Sequence, residues 1–492
     1  MRKLSSNIFK KLDRLSPFIL FDVKIKRYIE YYGDDIFAVK KKYLKALKVL
    51  IPAIILVAFL GFLKLKLLLL SIPSLALVAY FYPVLYVWAK AEEHKKIVNN
   101  EAPFIALVAY INSLVDKGLN HTLKELSEIQ ELKVPRVELD FLTKMSTYMN
   151  MSFAKALERR AAVHSNDLLG KLYNSYLSAL ELGITIKDRL KDAVKDLLNE
   201  LKDSYKAYVD KSAEMAELEF AVFLLLPIVL VGFSFTFKVS LPELLLPLLF
   251  APAVIFLISS LQPGIDYNIK YKYVYMLATI PLIFLIPRIG LEYKVLASIF
   301  VLLAFSYFIY NQLTLANELE RALPILLKEV SEYLKIGYSV QNAIAKVKLS
   351  KRVNDVIEKY VKTGNINSPS KLFNITLKLL LIISRTGSSS ASLEELASSI
   401  SEIVYNKNNL IKQLRLFDAM VALTPIMLWL TFTMLGKIST TSVPSIAVIS
   451  SYSIVSALIF SKISRFTLLY FPLILLVAVM LVILSVLPPV LL

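Results

Sequence analysis

Long stretches nearly free of charge alternate along this chain with stretches in which apolar residues recur every three or four positions among charged ones. The two patterns predict two kinds of helix. An uncharged run of roughly 20 residues crosses a hydrocarbon core about 30 Å thick as a helix, because lipid offers backbone amides no other partner. An apolar stripe at spacings of three and four marks an amphipathic helix packed on neighbours. Runs of the first kind lie near 50–66, 67–88, 219–238, 241–261, 273–289, 294–311, 416–436, 443–461 and 466–487. The expected fold is therefore all-α, a polytopic membrane protein with about nine transmembrane helices and two helical bundles. Its predicted domains are a basic segment at 1–49, spans 1 and 2 at 50–88, a first bundle at 89–218, spans 3 to 6 at 219–311, a second bundle at 312–415 and spans 7 to 9 at 416–492. Residues 1–49 are too long and too charged for the leading region of a signal peptide.

Composition agrees with this segregation. The chain is 56% hydrophobic with a mean hydropathy of +0.59, yet 20% of it is charged. Of the 57 Lys and Arg residues, 13 fall in residues 1–49, 19 in 89–218 and 15 in 312–415. Short loops govern orientation, since long domains translocate largely regardless of charge. Lys40, Lys41, Lys42, Lys45 and Lys48 abut the first span, and Lys462 and Arg465 fill a tight turn. The expected N-terminus and both bundles are thus cytoplasmic, and the C-terminus is extracellular.

The net charge of +18 is unevenly placed. The first bundle is net −1, with 19 basic and 20 acidic residues, and the second is net +6, with 15 against nine. The excess beside the spans reads as contact with anionic lipid headgroups rather than with nucleic acid. With no cysteine, disulfides and cysteine-held metal clusters are excluded. No G-x-x-x-x-G-K-[ST] loop occurs, so the chain carries no recognisable nucleotide site, and no cofactor is expected. The histidines His94, His121 and His164 show no i, i+3 or i+4 pairing and no carboxylate motif, so no metal site is expected.

A repeat appears at an offset of 219 residues. Glu101 falls on Glu320, Phe104 on Leu323, Leu107 on Leu326, Val108 on Leu327, Ile111 on Val330 and Val115 on Leu334. Gly118 then falls on Gly337, each expected to end its helix in a left-handed conformation, with Asn120 and Ser339 capping the next helix. A second glycine follows in each bundle, after Leu180-Glu181-Leu182 and after Ser384-Arg385-Thr386. Each bundle leads into a proline-bearing span (Pro227, Pro425) with a Phe-Thr pair (Phe235-Thr236, Phe432-Thr433), and the following span opens on Pro242 or Pro444. The chain thus reads as an internal duplication with a ninth span appended. Pro227 and Pro425 are the matched hinge candidates, since proline removes a helix hydrogen bond.

These features resemble the type II secretion F domain: the start Glu101-Ala102-Pro103, the apolar stripe closed by glycine, and the paired bundles followed by proline-bearing spans. Glu320 is followed by Pro324, a two-residue departure from that start. The family forms the inner-membrane platform of type II secretion systems, type IV pili and archaeal filaments, and the nine-span plan is similar to its archaeal members. The resemblance covers roughly 90–490. It implies a non-enzymatic platform in the cell membrane, acting as a homodimer with a secretion or assembly ATPase, pilin-like subunits and membrane lipids. A different class of reading is an internally duplicated transporter or membrane-embedded enzyme. Transporters keep charges inside their spans, whereas Glu219, Glu243 and Asp418 are expected at span ends. Glu101 and Glu320 are expected near helix N-termini, where the helix dipole favours an acid. The basic run Lys346, Lys348, Lys351 and Arg352 is the foremost candidate surface for a partner, and Arg159-Arg160 is a weaker one.

Overall fold

The computed structural model describes residues 28–33, 39, 41–42, 45, 71–233, 241–264, 267–270, 275, 277, 279–286, 290–364, 366–385, 390–438 and 446–486. These are almost entirely helical, with one isolated bridge between Tyr267 and Ser370. The chain divides into two compact units, Met1–Leu197 and Leu198–Leu492.

The first unit holds α1 (Ser71–Ser113), α2 (Leu119–Ser127), α3 (Val134–Met149), α4 (Phe153–Val163) and α5 (Leu168–Leu182). Helix α1 packs on α2, α3 and α5. Of the predicted stripe, Phe104, Leu107, Val108 and Ile111 of α1 are buried with Leu119, Leu123, Leu126, Leu169 and Leu172, while Val115 is half-buried. Helix α5 stops at Gly183, whose φ of 64° no β-carbon resists. The chain then enters α6 (Ile186–Glu219), along which the boundary between the units falls.

The second unit continues through a π-helical turn (Phe220–Leu225), α7 (Leu226–Phe233), α8 (Leu241–Leu245), a 3₁₀ turn (Leu246–Phe250), α9 (Ala251–Leu261) and α10 (Thr279–Leu285). Its bundle is α11 (Leu291–Lys335), α12 (Val340–Lys346), α13 (Lys351–Thr363), α14 (Lys371–Arg385) and α15 (Ser390–Leu414). Last come α16 (Leu416–Ile438), α17 (Ile446–Arg465) and α18 (Phe471–Val486). Leu319, Leu323, Leu326 and Val330 of α11 are buried, as are Phe373, Leu377, Leu396 and Ile400 of α14 and α15.

Among the described residues five helices are long and apolar enough to cross a membrane: Ile186–Phe233, Glu243–Leu261, Tyr293–Lys335, Ala391–Met434 and Ile446–Arg465. The predicted spans at 219–238, 241–261, 294–311, 416–436 and 443–461 fall on these, and 466–487 falls on the shorter apolar helix Phe471–Ser485. The span predicted at 273–289 meets the seven residues of α10, the one at 67–88 meets the start of α1, and 50–66 lies outside the described residues. Four of the five bury a third or less of their apolar window, whereas α17 buries 67% of it. Helix α17 is therefore a central post, packed by α9, α11, α16 and α18. The others turn Leu249, Phe256 and Phe300 outward, a surface suited to lipid rather than water.

Helix limits depart from the sequence pattern at several points. Glu101 and Glu320 lie deep inside α1 and α11, not near the N-termini of their own helices. The apolar spacing of the spans runs on without a break into that of the bundles, so each pair of predicted elements is one helix. Gly118 is not left-handed: its φ is −79°, and Asp116 takes the left-handed turn at 57°. Gly118 instead precedes α2 where a β-carbon would sit 3.3 Å from the Tyr176 hydroxyl. Asn120 consequently lies within α2, while Ser339 does cap α12, accepting the Asn342 N–H at 3.4 Å. Gly337 is left-handed as expected, with φ of 96°. Gly387 and the pair Phe235-Thr236 lie outside the described residues.

Candidate functional site

The densest chemistry of the first unit is a closed ionic cluster. Helix α3 contributes Glu138, α4 contributes Arg160, His164 follows α4 directly, and Asp167 caps α5 by accepting the Gly170 N–H at 3.0 Å. Arg160 Nε donates to Glu138 Oε2 at 3.0 Å and its Nη2 to Oε1, while Nη1 donates to the Glu30 carbonyl at 3.2 Å. His164 lies between two carboxylates, with Nε2 3.1 Å from Glu138 and Nδ1 2.7 Å from Asp167. Tyr173 donates to Glu138 at 3.2 Å and Tyr31 to Asp167 at 2.7 Å. Gly170 is required beneath His164, since a β-carbon there would stand 2.0 Å from the His164 carbonyl oxygen.

Arg160 and, when protonated, His164 face the carboxylates of Glu138 and Asp167, and Arg160 Nη2 also lies 2.9 Å from His164 Nε2. Burial alone would raise the Glu138 carboxyl, but Arg160 and His164 outweigh it and hold it well below the carboxylate range. Burial would likewise discharge His164, yet the Glu138 charge and the bond to Asp167 raise it above its ordinary value. His94 goes the other way, pushed down to about 4 by burial and then by the nearby His164. The two imidazoles share Tyr31, with ring centroids at 5.0 Å for His164 and 5.1 Å for His94. One tyrosine therefore contacts an imidazole whose proton is held more tightly than usual and another whose proton is held less tightly.

A cavity of about 330 Å³ opens beside this cluster, lined by Tyr28, Tyr31, Glu92, Lys95, Asn166 and Asp167 among others. Tyr31 and Asp167 are the cluster's members on its wall. Glu138 and Arg160 are wholly buried and do not line it, and the cluster joins α3, α4 and the start of α5.

The second unit has a smaller counterpart. Glu320 accepts the Ser370 hydroxyl at 2.9 Å and the Lys407 ammonium at 2.7 Å. Lys407 also lies 4.4 Å from the Tyr267 ring centre. Ser370 caps α14 by accepting the Phe373 N–H at 3.1 Å. In the first unit Glu101 reaches the start of a different helix, accepting the N–H groups of Lys133 and Val134, both at 2.9 Å. It does stabilise a helix N-terminus, but that of α3.

The basic candidates separate. Lys346, Lys348, Lys351 and Arg352 are all exposed along the end of α12, the following loop and the first turn of α13. Lys346 rests 3.7 Å over the Tyr338 ring, and Arg352 pairs with Glu318 at 3.3 Å. Arg159 is exposed, 3.7 Å from Glu30, but Arg160 is wholly buried and cannot meet a partner. Successive residues on a helix point about 100° apart, so a basic doublet places one member inward. His164 also has a carboxylate three residues on, and His121 pairs with Glu125 four residues on at 2.9 Å. These i, i+3 and i, i+4 relations correct the reading of isolated histidines. Among the described residues no group of three or more histidines and carboxylates is placed to hold a metal ion.

Asp418 and Glu219, each ahead of a matched proline, also differ. Asp418 accepts from Ser464 at 2.7 Å and pairs with Arg465. Glu219 is buried and neither carboxylate oxygen has a hydrogen-bond partner. No protein-family model, curated protein or solved structure matches the chain.

Proposed function

We propose that this chain is the membrane platform of a filament-assembly or secretion machine of the type II secretion F-domain kind. It links a cytoplasmic motor ATPase to pilin-like subunits that reach it through the bilayer. On this reading nine spans and two bundles form an internal duplication, with the N-terminus and both bundles cytoplasmic and the C-terminus extracellular. The platform works as a homodimer in the membrane of an archaeal cell.

One observation carries the reading. Each unit has a bundle built on a single long helix, of 43 residues in α1 and 45 in α11, with a buried glutamate at the matched place. Each glutamate ties that helix to the start of another one, α3 from Glu101 and α14 through Ser370 from Glu320. Two bundles on long rods suit a part that receives motion in the cytoplasm and passes it to lipid-embedded helices. Apolar spans with outward Phe and Leu side chains suit lateral docking of a pilin-like helix. Mild-detergent purification of the full chain from its native membrane, followed by mass spectrometry, tests this. A nucleotide-loop ATPase and small proteins with an apolar N-terminal helix are the expected companions. Purification as a stable dimer with neither companion, in cells assembling filaments, would overturn it.

A transporter is the second reading, and buried Glu219 favours it, because an acid inside crossing helices usually marks an ion path. Flux in sealed proteoliposomes separates the two: a platform conducts no ion without its partners.

A further inference from the structure

We propose that Glu219, Thr424 and Ser456 form a site for a monovalent cation within the membrane-crossing part of the second unit.

Glu219 is the last residue of α6, where the helix widens into the π turn Phe220–Leu225. Such turns interrupt the regular ladder and recur at functional places. The residue is 0% exposed, and no cationic side chain or backbone N–H meets its carboxylate oxygens. The other described buried carboxylates are compensated. Glu101 accepts two backbone N–H groups, Glu138 has Arg160, Asp167 has His164, and Glu320 has Lys407. An ionised carboxylate taken from water without such a partner costs several kcal/mol, so Glu219 is neutralised either by a proton or by a cation that the chain itself does not bring.

Besides its own continuation α7, which carries no charged residue, the elements packed on the π turn include α16, α17 and the 3₁₀ turn Leu246–Phe250. Their described charged side chains are Asp418, Lys462 and Arg465. Arg465 is engaged by Asp418, and Lys462 donates to the Phe466 carbonyl at 3.4 Å. What faces Glu219 instead is hydroxyl oxygen. Ser456 of α17 lies beside the carboxyl group and is 2.9 Å from Thr424 of α16, both side chains being fully buried. Thr424 precedes Pro425, which has no N–H to offer the Val421 carbonyl, leaving another oxygen acceptor on the same turn. A carboxylate with hydroxyl and carbonyl oxygens is a hard donor set, suited to an alkali ion rather than a soft transition metal. The single negative charge sets the charge of the guest at one. The three side chains stand on three of the five apolar helices long enough to cross a membrane.

Thermal unfolding of the purified full chain in detergent, with sodium, potassium, lithium or choline chloride at equal ionic strength, tests the site. Sodium is expected to raise the midpoint over choline by about 2–5 °C, the shift of a ligand bound to the folded state alone. The rise should grow from mildly acidic to mildly alkaline pH as protons cease to compete. Thr424→Val and Ser456→Ala should keep the choline midpoint and lose most of the sodium response. Glu219→Gln, neutral and of the same shape, should lose it entirely. Dicyclohexylcarbodiimide, which attacks protonated carboxyl groups in apolar surroundings, should modify Glu219, and sodium should slow this several-fold. Equal midpoints in all four salts, a sodium response that Glu219→Gln keeps, or carbodiimide labelling indifferent to every ion would each overturn the proposal.

Discussion

Arg160 grips Glu138 at two points, Nε to Oε2 at 3.0 Å and Nη2 to Oε1, with neither side chain exposed. The pair fastens α4 to α3 across 22 residues of sequence. Its Nη1 reaches the Glu30 carbonyl and its plane stacks 4.3 Å from the Phe141 ring centre.

Removing one partner should therefore cost far more than removing both. Arg160→Met leaves buried Glu138 with only His164 and the Tyr173 hydroxyl and is expected to lose about 3–5 kcal/mol. The double variant Glu138→Gln, Arg160→Met should lose clearly less than the sum of the two singles. Denaturant titration of the full chain in detergent measures both, and strict additivity would refute the coupling.

The two imidazoles against Tyr31 should give the first unit a stability maximum in pH. His164 is raised in the folded protein, so its contribution is complete below its ordinary 6.5 and is lost as pH climbs through the folded value. His94 is lowered to about 4, so the unfolded chain takes its proton first and stability falls as pH drops from 6.5 towards 4. His94→Phe should flatten the acid side and His164→Gln the alkaline side of a midpoint-against-pH curve. Unchanged limbs in both variants would show that other groups govern them.

If the proposed platform function holds, reversing Lys346, Lys348, Lys351 and Arg352 to Glu should sharply weaken binding of its motor ATPase at low salt. Complementary charge acts mainly on the rate of encounter and is screened over about 8–10 Å at physiological salt. Surface-plasmon measurements on the full chain in nanodiscs would read this, with circular dichroism unchanged. The same change at Arg159 should do little. Normal ATPase binding with lost affinity for anionic vesicles would assign the patch to lipid.

For topology, a reporter joined after residue 492 should be active outside the cell and one inserted near 365 active in the cytoplasm. Activity of both on one side would show an error of one in the span count.

Much of this architecture was legible in local spacing. The stripe positions Phe104, Leu107, Val108 and Ile111 and their echoes Leu323, Leu326, Leu327 and Val330 are buried in α1 and α11, whereas Val115 and Leu334 at the ends are only half-buried. Gly183, Gly337 and the cap at Ser339 follow from conformational preferences of single residues. The start Glu101-Ala102-Pro103 misled because proline inside a helix removes one bond without ending it when packing holds both sides. Asp116 took the turn expected of Gly118 because aspartate tolerates the left-handed region and the space beside Tyr176 was wanted for the glycine. The ionic cluster was legible only in part: His164 and Asp167 stand three apart, but Arg160 finds Glu138 on a different helix. Glu219 shows the same limit, since a sequence window registers an acid at a span end but not that nothing has come to meet it.

Helix α11 runs from Leu291 to Lys335 without a break. At 1.5 Å per residue it is a rod about 65 Å long, roughly twice the thickness of a hydrocarbon core. Under the platform reading, a rod of that kind would carry a sideways push on its bundle end through to the other end as tilt, with Glu320 on the pushed arm and Pro324 beside it as the one residue in the helix without a backbone N–H.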